Sequence, residues 1–169
     1  MMPPILGVAV IASTDCMDDS MHRFDEEFIR TNFGKIWPRH VETLTWFLIQ
    51  CRKHFDGDLD LFLVLAIVGD RSFSAARAPE QLTYGALIDG SRLPVEPEAL
   101  NTQSIADFSG IPRETVRRKI RELIDRGWIE RGENGYVRAT RKAALDLHPL
   151  TETSFTYLSR MGAVFSTSS

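Results

Sequence analysis

The chain has 169 residues, 43% of them hydrophobic and 25% charged, with a formal net charge of −3. That composition supplies one sizeable core or two small ones and excludes a disordered polyelectrolyte, so a globular intracellular protein is expected. The charge is uneven. Residues 1–99 carry nine Lys/Arg against fifteen Asp/Glu and residues 143–169 one against two, whereas residues 100–142 carry ten against six. A basic segment on an acidic body points to a polyanion-facing surface on one part of the molecule.

In chain order, the opening MMPPILGVAVIAS is apolar, but no Lys or Arg precedes Arg23, so the charged start of a signal peptide is missing. Cys16 and Cys51 have no CxxC or Cys/His spacing around them and read as reduced structural thiols. Ser20 caps a helix expected to run to about Thr31, with Met21, Phe24 and Phe28 at helical spacing and Gly34 as its stop. Pro38 suits the first turn of a second helix, whose apolar stripe is Val41, Leu44, Leu48, Cys51 and Phe55.

The acidic DGDLD at 56–60 fails as a calcium loop, because Leu61 and Ile67 stand where such a loop needs Gly and Glu. Its carboxylates instead fit the N-terminus of a third helix. That helix is expected from Asp58 or Asp60 to about Ala78, and it carries the apolar run LDLFLVLAIV. The run is about half of what a membrane-spanning helix needs, so a buried helix is expected and no membrane segment. Residues 79–98, with Gly85, Gly90, Pro94 and Pro97, read as a connection with room for a short helical turn. The chain then divides into an N-terminal helical region (1–90), a central segment (91–142) and a C-terminal helix (143–169). His22, His40, His54 and His148 lack metal-ligand spacing, and no nucleophile elbow, phosphate-binding glycine loop or carboxylate pair is present. No metal, cofactor or enzymatic activity is expected.

The segment 101–140 carries the chemistry. Asn101 or Thr102 caps a short helix, TQSIADF, and Gly110 supplies the positive φ of a tight turn between helices. Ile111 follows as an apolar plug and Pro112 fits the first turn of a second helix over 112–126. This is a helix-turn-helix pattern. At about 100° per residue, Val116, Ile120, Leu123 and Ile124 share one arc and must face the core, while Glu114, Arg117, Arg118, Arg121 and Asp125 lie opposite. Such a helix fits the major groove, where Arg bonds guanine and Glu accepts from cytosine. Arg113 and Glu114 sit in the first turn, the part that reaches base edges. Base contacts are therefore expected from Arg113, Glu114, Arg117, Arg118 and Arg121, and backbone contacts from Thr102, Thr115, Lys119, Arg131 and Arg138, with Arg126 beside them as a phosphate contact or a solvated charge. After Gly127, Trp128–Arg131 and Tyr136–Thr140 have strand character around the hairpin signal Asn134-Gly135. This is a wing over 128–140.

The order helix, turn, basic helix, RGWIER and NG hairpin resembles the winged helix-turn-helix of bacterial transcription regulators. The string IADFSGIPRETVRRKI most resembles the DNA-binding domain of the Crp/Fnr family, which implies base contacts by Arg113, Glu114 and Arg118. Two departures stand out. The family's N-terminal cyclic-nucleotide-type β-barrel is replaced by helices, so cyclic-nucleotide sensing is not implied, and Lys119 occupies a position that is commonly apolar. The plan of helices before and after a central winged helix is similar to that of MarR-like regulators, which dimerise through terminal helices.

The C-terminal segment is expected to form a helix from Pro149-Leu150-Thr151, capped by Thr151, with Phe155, Leu158, Met161 and Phe165 as an apolar stripe. The sum of apolar helix surface predicts a homodimer presenting two recognition helices to a pseudo-palindromic duplex site. The expected fold is mainly α, a winged helix-turn-helix with a small β-hairpin wing flanked by N- and C-terminal helices. The expected protein is a cytoplasmic, nucleoid-associated, sequence-specific transcription regulator. The alternative is a winged helix used for protein or RNA contacts. Trp37, Trp46, Phe47, Phe62 and Phe73 are expected in the core rather than around a ligand, and no effector is assigned.

Overall fold

A computed structural model describes residues 26–72, 83–88, 100–133 and 135–166. The element order is α1 (Glu26–Thr31), α2 (Phe33–His54), α3 (Leu59–Ser72), α4 (Tyr84–Ile88), α5 (Thr102–Ser109), α6 (Arg113–Asp125), β1 (Ile129–Arg131), β2 (Val137–Ala139), α7 (Arg141–Asp146) and α8 (His148–Ser166). The expected fold class holds: helices surround a helix-turn-helix followed by a two-stranded antiparallel hairpin.

The first two helices depart from expectation. The chain bends at Asn32, whose carbonyl accepts from the amides of Lys35 and Ile36, so Gly34 lies inside α2 rather than ending α1. Pro38 sits beyond the first turn. A stacked Phe33–Trp37 pair, ring centroids 5.3 Å apart, supports this early turn as an i,i+4 contact and offsets the poor helix propensity of Gly34 and Pro38. The Val41-to-Phe55 stripe is split. Cys51 and Phe55 are fully buried, whereas Val41 and Leu48 are exposed. Burial pushes the Cys51 thiol up to about 11, partly offset by its backbone hydrogen bond, so the thiol stays protonated and inert. Ser20 and Cys16 lie outside the described residues, as do Phe73 and the expected boundary at 90–97.

Asp56 (φ 54°) and Gly57 (φ 93°) turn the chain from α2 into α3. Asp58 then caps α3, its Oδ1 accepting from the Leu61 amide at 2.9 Å. In α3, Leu61, Val64, Leu65 and Val68 fall at i, i+3, i+4 and i+7, and all are buried. They enter one core with Ile105, Ile111, Val116, Ile120, Leu123, Trp128, Ile129 and Val137. The apolar run of α3 therefore seats the helix-turn-helix; α3 packs on α5, α6 and β2. No helix among the described residues is long and apolar enough to cross a membrane.

Beyond the hairpin, α7 is an element the sequence reading did not separate, and the boundary placed at 142/143 falls within it. Thr140 makes it possible by accepting from the Ala143 amide as N-cap while its hydroxyl donates to the Gly127 carbonyl at 2.7 Å. Helix α8 starts at His148, so Thr151 is not its cap; its hydroxyl donates back to the Leu147 carbonyl. α8 packs along α2, with the Phe47 and Tyr157 rings 5.3 Å apart and the Arg160 guanidinium 4.6 Å from the Trp46 ring centroid.

Candidate nucleic-acid interface

Asn101 begins the site. Its Oδ1 accepts from the amides of Gln103 and Ser104 at 2.9 and 3.0 Å, which satisfies two orphan donors and fixes where α5 starts. Gly110 ends α5 at φ 72°, and its amide donates to the Ala106 carbonyl. Ile111 then plugs into the core. Pro112 precedes the first helical residue of α6, Arg113, and its fixed φ directs the chain into the new helix.

Helix α6 has two unlike faces. Val116, Ile120 and Leu123 are buried, with Ile124 packed beside them. On the other side Glu114, Thr115, Arg117, Arg118 and Arg121 line one shallow surface depression of about 310 Å³. Four of the expected base-contacting residues thus come together, and exposed Arg113 directly precedes Glu114 at the start of the helix. Glu114 holds Arg117 through Oε2, with Arg117 Nε at 3.0 Å and Nη2 at 2.7 Å. A carboxylate in this position partners one guanidinium and leaves Arg118 and Arg121 to complete a cationic row.

Lys119 corrects the expectation that it reaches phosphate. It is 7% exposed and points inward, where its ammonium forms an ion pair with Asp58. Burial pushes the Asp58 carboxyl up. The hydrogen bonds from Lys119 and the Leu61 amide, with the charges of Lys119 and Arg118, outweigh that and hold it below the usual carboxylate value. Arg126 is also engaged. It contacts Glu122 at 2.7 Å and Asp56 at 3.7 Å, and it lies over the Trp128 ring at 5.0 Å. The α2–α3 turn therefore grips α6 at its middle and at its C-terminal end. Spacing alone held the signal for the first grip: Val116, Lys119, Ile120 and Leu123 fall at i, i+3, i+4 and i+7, which puts Lys119 on the buried face.

In the wing, Ile129 pairs with Ala139, Glu130 with Arg138 and Arg131 with Val137. Val137 also bonds Leu100, which ties the hairpin to the start of α5. Gly135 has φ 79°; Asn134 lies outside the described residues. Arg131 Nη1 donates to the Gly135 carbonyl at 2.9 Å and Arg138 Nε to Glu130 at 2.6 Å. Both arginines are exposed, and such solvated pairs are weak enough to be exchanged for a phosphate. Thr102 and Thr115 are half-buried, Thr102 at the N-terminus of α5 and Thr115 at the edge of the α6 depression. Trp128 anchors the base of the wing: its ring meets Phe55 edge-on at 5.6 Å and its Nε1 donates to Asp146 at 2.8 Å.

The sequence profile of the Crp-like helix-turn-helix domain matches residues 86–146. Those residues form a helix-turn-helix domain of the Crp/Fnr type. No match is found among curated proteins or among solved structures. The match spans α5, α6, the wing and α7, so the Crp-like domain runs through the short helix that closes on the wing. It does not reach α2, α3 or α8. The chain carries the DNA-binding domain of a transcription regulator on a helical body. Among the described residues no group of three or more His, Cys, Asp or Glu is arranged to hold a metal ion.

Proposed function

We propose that the chain is a sequence-specific, double-stranded-DNA-binding transcription regulator acting as a homodimer. One observation carries the specificity. The outer face of α6 is not a uniform cationic strip, because Glu114 stands among Arg113, Arg117, Arg118 and Arg121 and pairs with Arg117. A carboxylate opposes phosphate binding and weakens a general polyanion surface. It is useful where arginines must meet base edges in register. Arg131 and Arg138 of the wing, with Thr102 and Thr115, then sit on the backbone beside the groove.

Selection of duplexes from a random pool, followed by binding measured against salt, tests the reading. The expected result is a recurrent two-half-site motif with half-sites about 34 Å apart and an affinity that falls steeply as salt rises. Failure to retain any duplex at low salt would remove the DNA-binding reading. Retention without sequence preference would remove the sequence-specific part.

A further inference from the structure

Helices α2, α3, α4, α7 and α8 and the end of β2 meet around an apolar cavity of about 470 Å³. Its size falls in the range of small-molecule sites, roughly 300–1,000 Å³. The walls are braced by rings. Phe47 meets Phe62 at 6.4 Å, Phe62 meets Phe55 at 5.5 Å, and Tyr84 meets Phe155 edge-on at 5.1 Å. The space itself is left by small residues on two separate helices, Ala66 and Gly69 of α3 and Ala143 and Ala144 of α7. The pocket is open on one side, where Ala66 and Phe155 are exposed.

The polar atoms on the walls define the occupant. Thr140 spends its hydroxyl on Gly127, Thr151 on Leu147 and Ser154 on Leu150, all backbone carbonyls. The Tyr84 hydroxyl pairs with His148 Nδ1 at 2.5 Å. Among the described residues no charged side chain lines the cavity. A charged group set against these walls would be partly desolvated with no countercharge among the described lining residues. We infer that this cavity binds an uncharged, predominantly apolar small molecule. The exposed apolar residues of α2 that suit a second copy of the chain, Phe33, Trp37 and Val41, are not part of it.

Occupancy has a route to the DNA-binding surface. Ala139 and Thr140 form part of the wall, Ala139 is paired with Ile129 across the wing, and the lining ring of Phe55 packs on Trp128. A ligand therefore bears on the base of the wing. This consequence rests on the DNA-binding reading above, whereas the binding does not.

The test uses the full chain and the neutral fluorophore N-phenyl-1-naphthylamine, compared with its sulfonated relative 1-anilinonaphthalene-8-sulfonate. Saturable binding of one neutral dye per chain is expected, at least tenfold tighter than that of the sulfonate. Gly69→Leu should weaken it at least tenfold without lowering the melting temperature, because a Cβ placed at helical Gly69 meets nothing within 4 Å. Ala66→Phe fills the same space from an exposed position and should give the same loss. Absence of saturable binding, equal binding of the two dyes, or binding indifferent to both substitutions would overturn the inference. The dye should also shift duplex affinity at least threefold in the parent and not in Gly69→Leu; an unshifted affinity would overturn the link to the wing. Dye binding as expected with no duplex bound under any condition would sink the regulator reading and leave the cavity standing.

Discussion

At the scale of single residues, neighbours on α6 divide between the surface and the core. Arg118 is exposed in the cationic row, so Arg118→Ala should lose about 1–3 kcal/mol of discrimination at one base pair. Binding to a duplex series mutated one position at a time would show it, and equal losses at every position would mean that Arg118 only touches phosphate. Lys119 is the opposite case. Lys119→Ala should destabilise the fold by about 2 kcal/mol, because it leaves the partly buried Asp58 unpaired and opens a cavity. Lys119→Met, which keeps the volume, should cost less. Urea unfolding of the two variants separates the terms. The acid limb carries a sign. The folded Asp58 carboxyl titrates below its unfolded value, so its contribution is complete above roughly pH 4 and disappears as the pH falls through the lower folded value. The stability gap between the parent and Asp58→Asn should therefore close on acidification below about pH 4; a gap that stays constant there would contradict the ion pair. The outward placement of Glu114, Arg117, Arg118 and Arg121 was legible because period and polarity agree there. Lys119 is not legible in the same way, because its charge argues against its position at i+3 from Val116 and its partner lies far back in sequence at Asp58.

At the scale of elements, the segments with local punctuation were legible and those shaped by distant packing were not. Asn101, Gly110 and Gly127 bound α5 and α6 within a residue of expectation, since caps and positive φ are local chemistry. Gly34 carried the same letter and misled: nothing lies within 4 Å of a Cβ placed there, and α2 runs straight through it. Helix α7 was missed because its cap, Thr140, is also the last residue of the expected strand. The two turn glycines can be compared directly. A Cβ at Gly110 meets nothing within 4 Å, whereas one at Gly127 meets Lys142 Cδ at 3.1 Å. Gly110→Ala should cost about 1–2 kcal/mol from backbone conformation alone. Gly127→Ala should cost the same plus the displacement of Lys142, whose ammonium pairs with Asp146. Thermal unfolding of both variants checks the order, and a neutral Gly110→Ala would mean that the turn relaxes out of the left-handed region.

At the scale of the whole molecule, the helical body and the helix-turn-helix share one core among the described residues, and the Lys119–Asp58 pair joins α6 to the turn before α3. The body still shows apolar surface. Phe33, Trp37 and Val41 on α2 are 51%, 48% and 44% exposed, and Leu158 on α8 is 62% exposed. A second copy covering these helices would place two α6 helices on one duplex. Sedimentation at micromolar concentration should give a dimer, and Trp37→Glu combined with Leu158→Glu should give a folded monomer that binds a two-half-site duplex far more weakly. A monomeric parent would overturn the dimer. The sequence suggested this stripe but not which part of it the chain's own core consumes, because Cys51 in the last turn of α2 and Phe55 just after it carry the same stripe into the interior. Trp128 offers a last consequence. The chain has three tryptophans, and Trp128 alone combines an 8% exposure with contacts to Phe55, Arg126 and Asp146 at the root of the wing. With Trp37 and Trp46 replaced by phenylalanine, its emission becomes a built-in optical gauge, reporting without any attached label when the wing shifts against the body.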